Sequence, residues 1–473
     1  MTLKYWLGCV FLVMGLSSGC AGFSPQKPDI PLDVSSSFLS SWNGTGALQA
    51  WWRSFHSDEL NRLMDQALDR NMNVRSAWAR LAQAQAVAEK TRAGLFPSLD
   101  LSGDVSRTRT YVHKELVSDS KSASLDLAAS YELDLWGEIR SQEYADVASA
   151  QARAFDVQAA KVSLAGELST AWIDLVALRQ EIRLLQEQIE TNTGVLRLQI
   201  SRFENGADNA LEVSQQQQTL AASRADLPAL QAQEAVKLHQ IALLAGTIDP
   251  DGLNIQTQTL PEPLPLPQVG LPARVLMARP DVQAAALRLR SAGWDVAQAR
   301  AARLPRISLS TTAGLSSSTF NLVWGDWLTR LGANLSAPLF DAGLRRAEVQ
   351  RALAVVDEQV AEYALTVLEA VQEVRNALTR ERHQQETIQG LEKELQAARQ
   401  ARMQARLRYT NGQSGYVNVL LQQRSVQSLE RQLLTARAEL LLQRVALYRA
   451  LGAGWENPEM GQENVSWRDP KQE

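Results

Sequence analysis

Two stretches of this chain alternate between apolar and polar residues, and each leads into a run of helical composition several times its own length. In the first, Leu99, Leu101, Gly103 and Val105 interleave with Asp100, Ser102, Asp104 and Ser106. After a polar loop at residues 107–121 the alternation resumes. Leu125, Leu127, Ala129, Tyr131, Leu133 and Leu135 are set against Ser124, Asp126, Ala128, Ser130, Glu132 and Asp134. The second stretch repeats this with Ile307, Leu309, Thr311, Ala313 and Leu315, then Leu331, Ala333, Leu335, Ala337 and Leu339. Successive side chains of a strand point to opposite faces, so this period predicts four strands, each with an apolar and a polar face. The strands run to about ten residues, longer than usual and long enough to cross a bilayer when tilted. Trp324 and Trp327 flank the last one, where an interfacial aromatic belt would lie.

The rest of the pattern is helical. Ser57 to Arg92 reads as one helix, and Pro97 ends it by biasing the residue before it away from the α region. Glu138–Phe203 and Leu344–Tyr409 are runs of 66 residues without proline. At about 1.5 Å per residue each is roughly 100 Å of helix. Each closes on an Asn-Gly pair, Asn205-Gly206 and Asn411-Gly412, which tolerates the positive φ of a helix terminator. A second long helix then returns: Ala210–Leu244, broken at Pro228, and Tyr416–Leu451. Leu429, Leu433, Ala436, Leu440 and Leu447 give the latter a packing seam, and Ala221, Ala222, Ala225, Ala397, Ala398 and Ala401 allow close helix approach.

The two halves are copies. Asn71-Met-Asn-Val74 corresponds to Arg279-Pro-Asp-Val282, and Phe96-Pro-Ser-Leu99 to Leu304-Pro-Arg-Ile307, both at an offset of 208. Asp134–Gly137 precedes Phe340–Gly343, and Arg202–Gly206 precedes Arg408–Gly412, both by 206. Leu244-Ala-Gly246 likewise matches Ala450-Leu-Gly452. Ordered landmarks at a nearly constant offset mean a tandem duplication. The division read from these signals begins with a signal peptide at 1–19 and an extended N-terminal segment at 20–56. A first repeat follows at 57–259, with a strand pair at 97–135 and a helical hairpin at 138–246. After a proline-rich linker at 260–272 comes a second repeat at 273–453, with a strand pair at 305–341 and a hairpin at 343–452. A polar tail at 454–473 completes the chain.

Four strands cannot close a barrel wide enough to pass anything, and an open sheet in lipid leaves its edge N–H and C=O groups unsatisfied. The conflict disappears if several protomers share one barrel; three copies supply twelve strands. The residues leave two other readings open: a soluble hairpin with one buried face, and a coiled-coil scaffold.

Composition narrows the function. With 48 basic against 52 acidic residues the net charge is −4, which offers no basic field to nucleic acid. Charged residues at 21% and hydrophobic ones at 45% are globular values and rule out wholesale disorder. The two cysteines are Cys9 and Cys20, and the four histidines are scattered, which speaks against metal, thiol or Ser-His-Asp chemistry and implies no cofactor. Both cysteines fall in an export signal: Lys4, an apolar run from Tyr5 to Leu16 too short to span a membrane, then Ser17-Ser-Gly-Cys20. The last four residues resemble a bacterial lipobox with Ser17 in place of the usual Leu, which implies lipidation of Cys20. Residues 21–50, rich in Ser, Pro, Gly and Asp, suit a surface tether.

Taken together, the lipobox, duplicated strand pairs, paired long helices and Asn-Gly turns resemble the TolC family of outer-membrane efflux proteins. The nearest branch is the NodT-like lipoproteins of resistance-nodulation-division pumps. Further matching motifs are Trp51-Trp-Arg-Ser-Phe55 with Asp58-Glu-Leu60, Arg279-Pro-Asp-Val282, Ala299-Arg-Ala-Ala-Arg-Leu-Pro305 and Pro338-Leu-Phe-Asp-Ala-Gly343. The resemblance implies a homotrimer: a twelve-stranded outer-membrane β-barrel continuous with a long periplasmic α-helical barrel, girdled by a mixed belt near residues 21–55 and 250–275. It implies a periplasmic adaptor and an inner-membrane pump as partners, and export of drugs or other small toxic compounds without bond chemistry. A duct for type I secretion or metal efflux is the alternative within the family. On the same basis Arg202, Gly206, Arg408 and Gly412 are expected at the docking tips, and Val417 and Leu421 at the gate. The family commonly carries an acidic gate residue where this chain has Leu421.

Overall fold

The computed structural model describes residues 22–27, 50–262, 279–318 and 327–452. Its helices are α1 (Asp58–Arg70), α2 (Met72–Ala93), α3 (Glu138–Glu204), α4 (Ala210–Leu244), α5 (Pro280–Ala301), α6 (Leu344–Thr410) and α7 (Tyr416–Ala450). The strands are β1 (Ser98–Val112), β2 (Glu115–Leu133), β3 (Arg306–Ser317) and β4 (Trp327–Ser336), and short 3-10 turns lie at Trp51–Phe55 and Asp251–Leu253. The duplication holds to the residue. Both ends of α5 lie 208 positions after those of α2, and both ends of α6 and α7 lie 206 after those of α3 and α4.

The strands form one antiparallel sheet in the order β1-β2-β3-β4. Register decides what each face carries. Leu101, Leu127, Ala313 and Thr329 form one cross-strand row, and Gly103, Leu125, Leu315 and Trp327 the next on the same face. The opposite face carries Ser102, Asp126, Gly314 and Leu328, then Asp100, Ala128, Thr312 and Arg330. On the apolar face Leu101 is 70% exposed and Leu331 85%. An apolar surface of this extent fits hydrocarbon rather than water. Among the described residues no helix is long and apolar enough to cross a membrane.

Below the sheet, α3 packs between α2 and α5, α5 packs on α6, and each long helix lies against its returning partner, α3 on α4 and α6 on α7. The main core gathers around the buried Trp172 of α3, with Leu60 and Met64 of α1, Ile241 of α4 and Leu441 of α7. The Trp172 indole N–H donates to Glu59 at 2.9 Å, and the same carboxylate accepts the backbone N–H groups of Gln256 and Thr257. The segment after α4 is thereby tied to α1.

Four local expectations are corrected. The segment at 20–56 is not extended at its end: Trp51, Trp52 and Phe55 are buried in the main core, with Trp51 stacked on Tyr448 at 5.1 Å. Burial of three aromatic side chains outweighs the flexible composition before them. The polar stretch at 107–121 is strand, not loop. Arg107 makes two hydrogen bonds to Asp119 across the ladder, at 2.8 and 2.5 Å, and the chain reverses at His113-Lys114 with φ of 51° and 71°. Cross-strand polar pairs hold a ladder without an apolar face, and a two-residue turn with positive φ fits its twist. The helix expected from Ser57 to Arg92 is two helices. Asn71 breaks it, capping the backbone N–H groups of Asn73 and Val74 and donating to the Leu244 carbonyl. Finally, α4 runs unbroken through Pro228. That proline is exposed, so the carbonyl it leaves unbonded meets water.

Candidate functional site

The hairpin tips, at the far end of the long helices from the strands, turn in the same way. Gly206 and Gly412 have φ of +72° and +70°. The N–H of Ala207 donates to Arg202 O at 2.8 Å and that of Gly206 to Phe203 O at 2.9 Å; Gln413 and Gly412 close onto Arg408 and Tyr409 in the same pattern. This double closure satisfies the last carbonyls of each helix and requires a left-handed residue, which glycine adopts at no steric cost.

The side chains of the two tips differ. Arg202 pairs with Asp208 across its own turn at 2.7 Å and lies 4.9 Å from the centre of the Tyr409 ring, so it braces one tip against the other. The Tyr409 hydroxyl donates to the same Asp208 carboxylate at 2.5 Å. Arg408, the counterpart of Arg202, is exposed. From this brace a buried polar column climbs between the helices. Tyr416 donates to Gln216 at 2.7 Å, Gln216 to the Asn192 carbonyl at 2.9 Å, and Gln427 to the Asn192 side chain at 3.3 Å. Buried polar groups that satisfy one another fix a single packing, because any slip leaves them unpaired.

Charge follows from these contacts. Burial works against the Asp208 carboxylate, yet hydrogen bonds from Arg202 and Tyr409 prevail and hold its pKa below the ordinary range. Glu212 moves the other way, raised by burial and by the Asp208 charge beside it. Burial likewise raises the Tyr416 phenol, which stays protonated and donating.

The expected gate residues Val417 and Leu421 lie one turn apart on α7 and are 43% and 55% exposed in the protomer. Leu211, the position in the first repeat equivalent to Val417, is 64% exposed, and sequence reasoning had passed over it. The 206-residue offset was the signal that could have found it. Asp208, Tyr409 and the polar column were also missed, since they join three helices and no local pattern marks them. Cys20 lies outside the described residues.

The model of the family described as outer membrane efflux protein matches residues 63–247 and 271–453, one block per repeat. The chain is 32% identical over 418 residues to the pyoverdine export outer membrane protein OpmQ of Pseudomonas putida, covering 86% of this chain and 88% of that protein. It is 30% identical to the probable efflux pump outer membrane protein TtgC of Pseudomonas putida, covering 95% and 94%. A solved structure of the outer-membrane channel OprN is 30% identical and superposes with a TM-score of 0.80 over 92% of this chain and 99% of that one. Another, VceC of Vibrio cholerae, gives 26% identity and a TM-score of 0.78 over 86% and 99%. The fold is that of the trimeric TolC-like channels, whose barrel is shared between protomers. The chain thus belongs to the outer membrane efflux protein family and is an outer-membrane channel of an efflux system.

Proposed function

We propose that this channel forms the outer duct of a three-part system. It docks at its hairpin tips onto a periplasmic adaptor and receives drugs or other small toxic compounds from an inner-membrane pump of the resistance-nodulation-division type. One observation carries the reading: at the end of the molecule away from the apolar sheet, one tip is braced by Arg202, Asp208 and Tyr409 while the other leaves Arg408 in water. Gly206 and Gly412 set the shape of the tips, Arg408 meets the adaptor, and Arg202 acts through the brace. Val417 and Leu421 form the gate. On the trimeric plan three copies of each ring the periplasmic mouth, and a leucine ring resists passage by holding little water.

Relatives named for toluene and antibiotic efflux support a small-molecule cargo. The two repeats, 57–259 and 273–453, act as the working halves about the 260–272 linker. Lipidation of Cys20 anchors the protein. In support, Gly22 lies against Gly137 where the sheet passes into α3, so a lipid two residues upstream reaches the bilayer edge.

The test is complementation. A Pseudomonas putida strain stripped of its own efflux channels receives this chain with the adaptor and pump encoded beside it. The expected outcome is restored tolerance to antibiotics and toluene. Restored pyoverdine secretion without tolerance would move the cargo to the class for which OpmQ is named, and no restored export of either kind would overturn the small-molecule reading.

A further inference from the structure

The protomer contains one seam that joins its two repeats, and two faces that can build the same seam again. Inside the chain α3 packs on α5 and β2 pairs with β3. Moving α3 and β2 forward by 206 residues gives α6 and β4, and moving α5 and β3 back by 208 gives α2 and β1. Within the protomer α6 and α2 are not a packed pair, and β4 and β1 are the outer strands of the sheet.

We propose that the interface between neighbouring protomers repeats this internal seam position by position, with α6 and β4 of one copy set against α2 and β1 of the next. The occupant of both open faces is a second copy of this chain. The argument rests on charge complementarity and on continuity with the sheet edge.

Charge is the first support. Arg288 of α5 donates to both oxygens of Asp156 on α3, at 2.5 and 2.7 Å, and Arg153 braces the same carboxylate at 3.1 Å. The mapping takes Arg288 to Arg80 on α2 and Asp156 to Glu362 on α6, opposite charges in the same orientation. Arg153 maps to Gln359, which donates to Glu362 at 2.7 Å, so the brace is present before any partner arrives. Arg80 and Glu362 are both exposed in the protomer. A second mapped contact is again opposite in sign: Ala145 and Ala297, clustered in the seam, become Arg351 and Glu89. Bulk changes in one direction. Phe155, Leu287 and Trp294 become Ala361, Ala79 and Ala86, which lets helices of different protomers approach closely.

The sheet gives independent support. The pair Leu133–Ile307 maps to Leu339 against Leu99, and Tyr131–Leu309 maps to Ala337 against Leu101. Leu339 is 96% exposed in the protomer, and this register supplies it with an apolar neighbour and continues the lipid face across the junction. It also satisfies the edge N–H and C=O groups that lipid would leave unbonded.

Cysteine pairs in the full-length protein test the register. Arg80→Cys with Glu362→Cys is expected to join chains into covalent dimers and trimers with a short bismaleimide, and Leu99→Cys with Leu339→Cys to do so on mild oxidation. Moving one site two helical turns, as Arg80→Cys with Glu369→Cys, is expected to cut the yield about tenfold, since cross-linking falls steeply with separation. A charge exchange keeps the idea falsifiable if a cysteine variant assembles poorly. Glu362→Arg alone should lower the temperature at which trimers dissociate on gels, and adding Arg80→Glu should restore it. Equal yield from the displaced pair, heat-resistant trimers that give no cross-link, or a double charge variant no better than the single one would each overturn the proposal.

Discussion

At the scale of residues the chain puts its titratable groups in specific places. Leu421 occupies a position at the tunnel mouth where the resembled family carries an acid, and the proposed gate therefore closes by apolar exclusion. Leu421→Ser is expected to make the closed channel leakier in planar-bilayer recordings, and Leu421→Asp to make its conductance sensitive to divalent cations and ionic strength. Unchanged recordings for both would move the constriction to Val417. Elsewhere a carboxylate is strained by its setting: burial, with Asp146 nearby, raises Asp295 of α5 from its ordinary 3.8 to about 6, against a partial offset from Arg351. The native state then binds more protons than the unfolded chain between these values, so this group favours folding at low pH and loses that contribution as pH rises through about 6. Asp295→Asn should raise the melting temperature at pH 8 and leave it nearly unchanged at pH 4. A gain of the same size at both pH values would show that the carboxylate is not the cause.

Among the elements, sheet and hairpin are stabilised by different physics. The sheet depends on its solvent. Leu127→Arg, on the apolar face beside Leu101 and Ala313, should cost about 2–4 kcal/mol if it lies near the bilayer midplane. Ser130→Arg, on the polar face where Ser130 meets Ser98 at 2.9 Å, should cost far less in the same urea titration in lipid vesicles. Equal losses would place the membrane on the wrong face. The helical hairpin of the second repeat carries a charge pair sealed inside it: Arg444 of α7 and Glu381 of α6 are 4% and 0% exposed and share two hydrogen bonds at 2.9 and 3.1 Å from Nε alone. Removing one partner leaves a buried charge uncompensated, so Glu381→Ala should cost about 3–5 kcal/mol by thermal or denaturant unfolding. Glu381→Leu with Arg444→Met should recover most of it, because an apolar pair of similar volume needs no compensation.

For the whole molecule, anchoring and assembly are separable. A Cys20→Ser variant, with its signal cleaved elsewhere, should still give heat-resistant trimers, because the strands insert by their own apolar faces; loss of trimers would make the lipid part of assembly. Much of this architecture was legible in one sequence. Period two in the strands, the long proline-free runs, the Asn-Gly stops and the 206–208 offset are local or repeated signals. Each follows from backbone geometry that a short window contains, and the offset even supplies Leu211 once Val417 is chosen. What stayed illegible has one physical cause: it depends on groups distant in sequence meeting in space. Trp51–Phe55 looks like part of a tether until the Trp172 core is present to bury it. Polar residues 107–121 look like a loop until β1 and β2 pair and Arg107 finds Asp119. Pro228 looks like a break until α4 shows that face to water. Arg202 looks like a free docking charge until the turn brings Asp208 and the next repeat brings Tyr409. The sequence by itself determined the periodicities, the duplication and which face of each strand is apolar, because side-chain alternation is written into neighbouring residues. Only the tertiary structure decided which polar groups are buried, what they hold and which faces stay open, because those depend on contacts between helices and strands far apart in the chain.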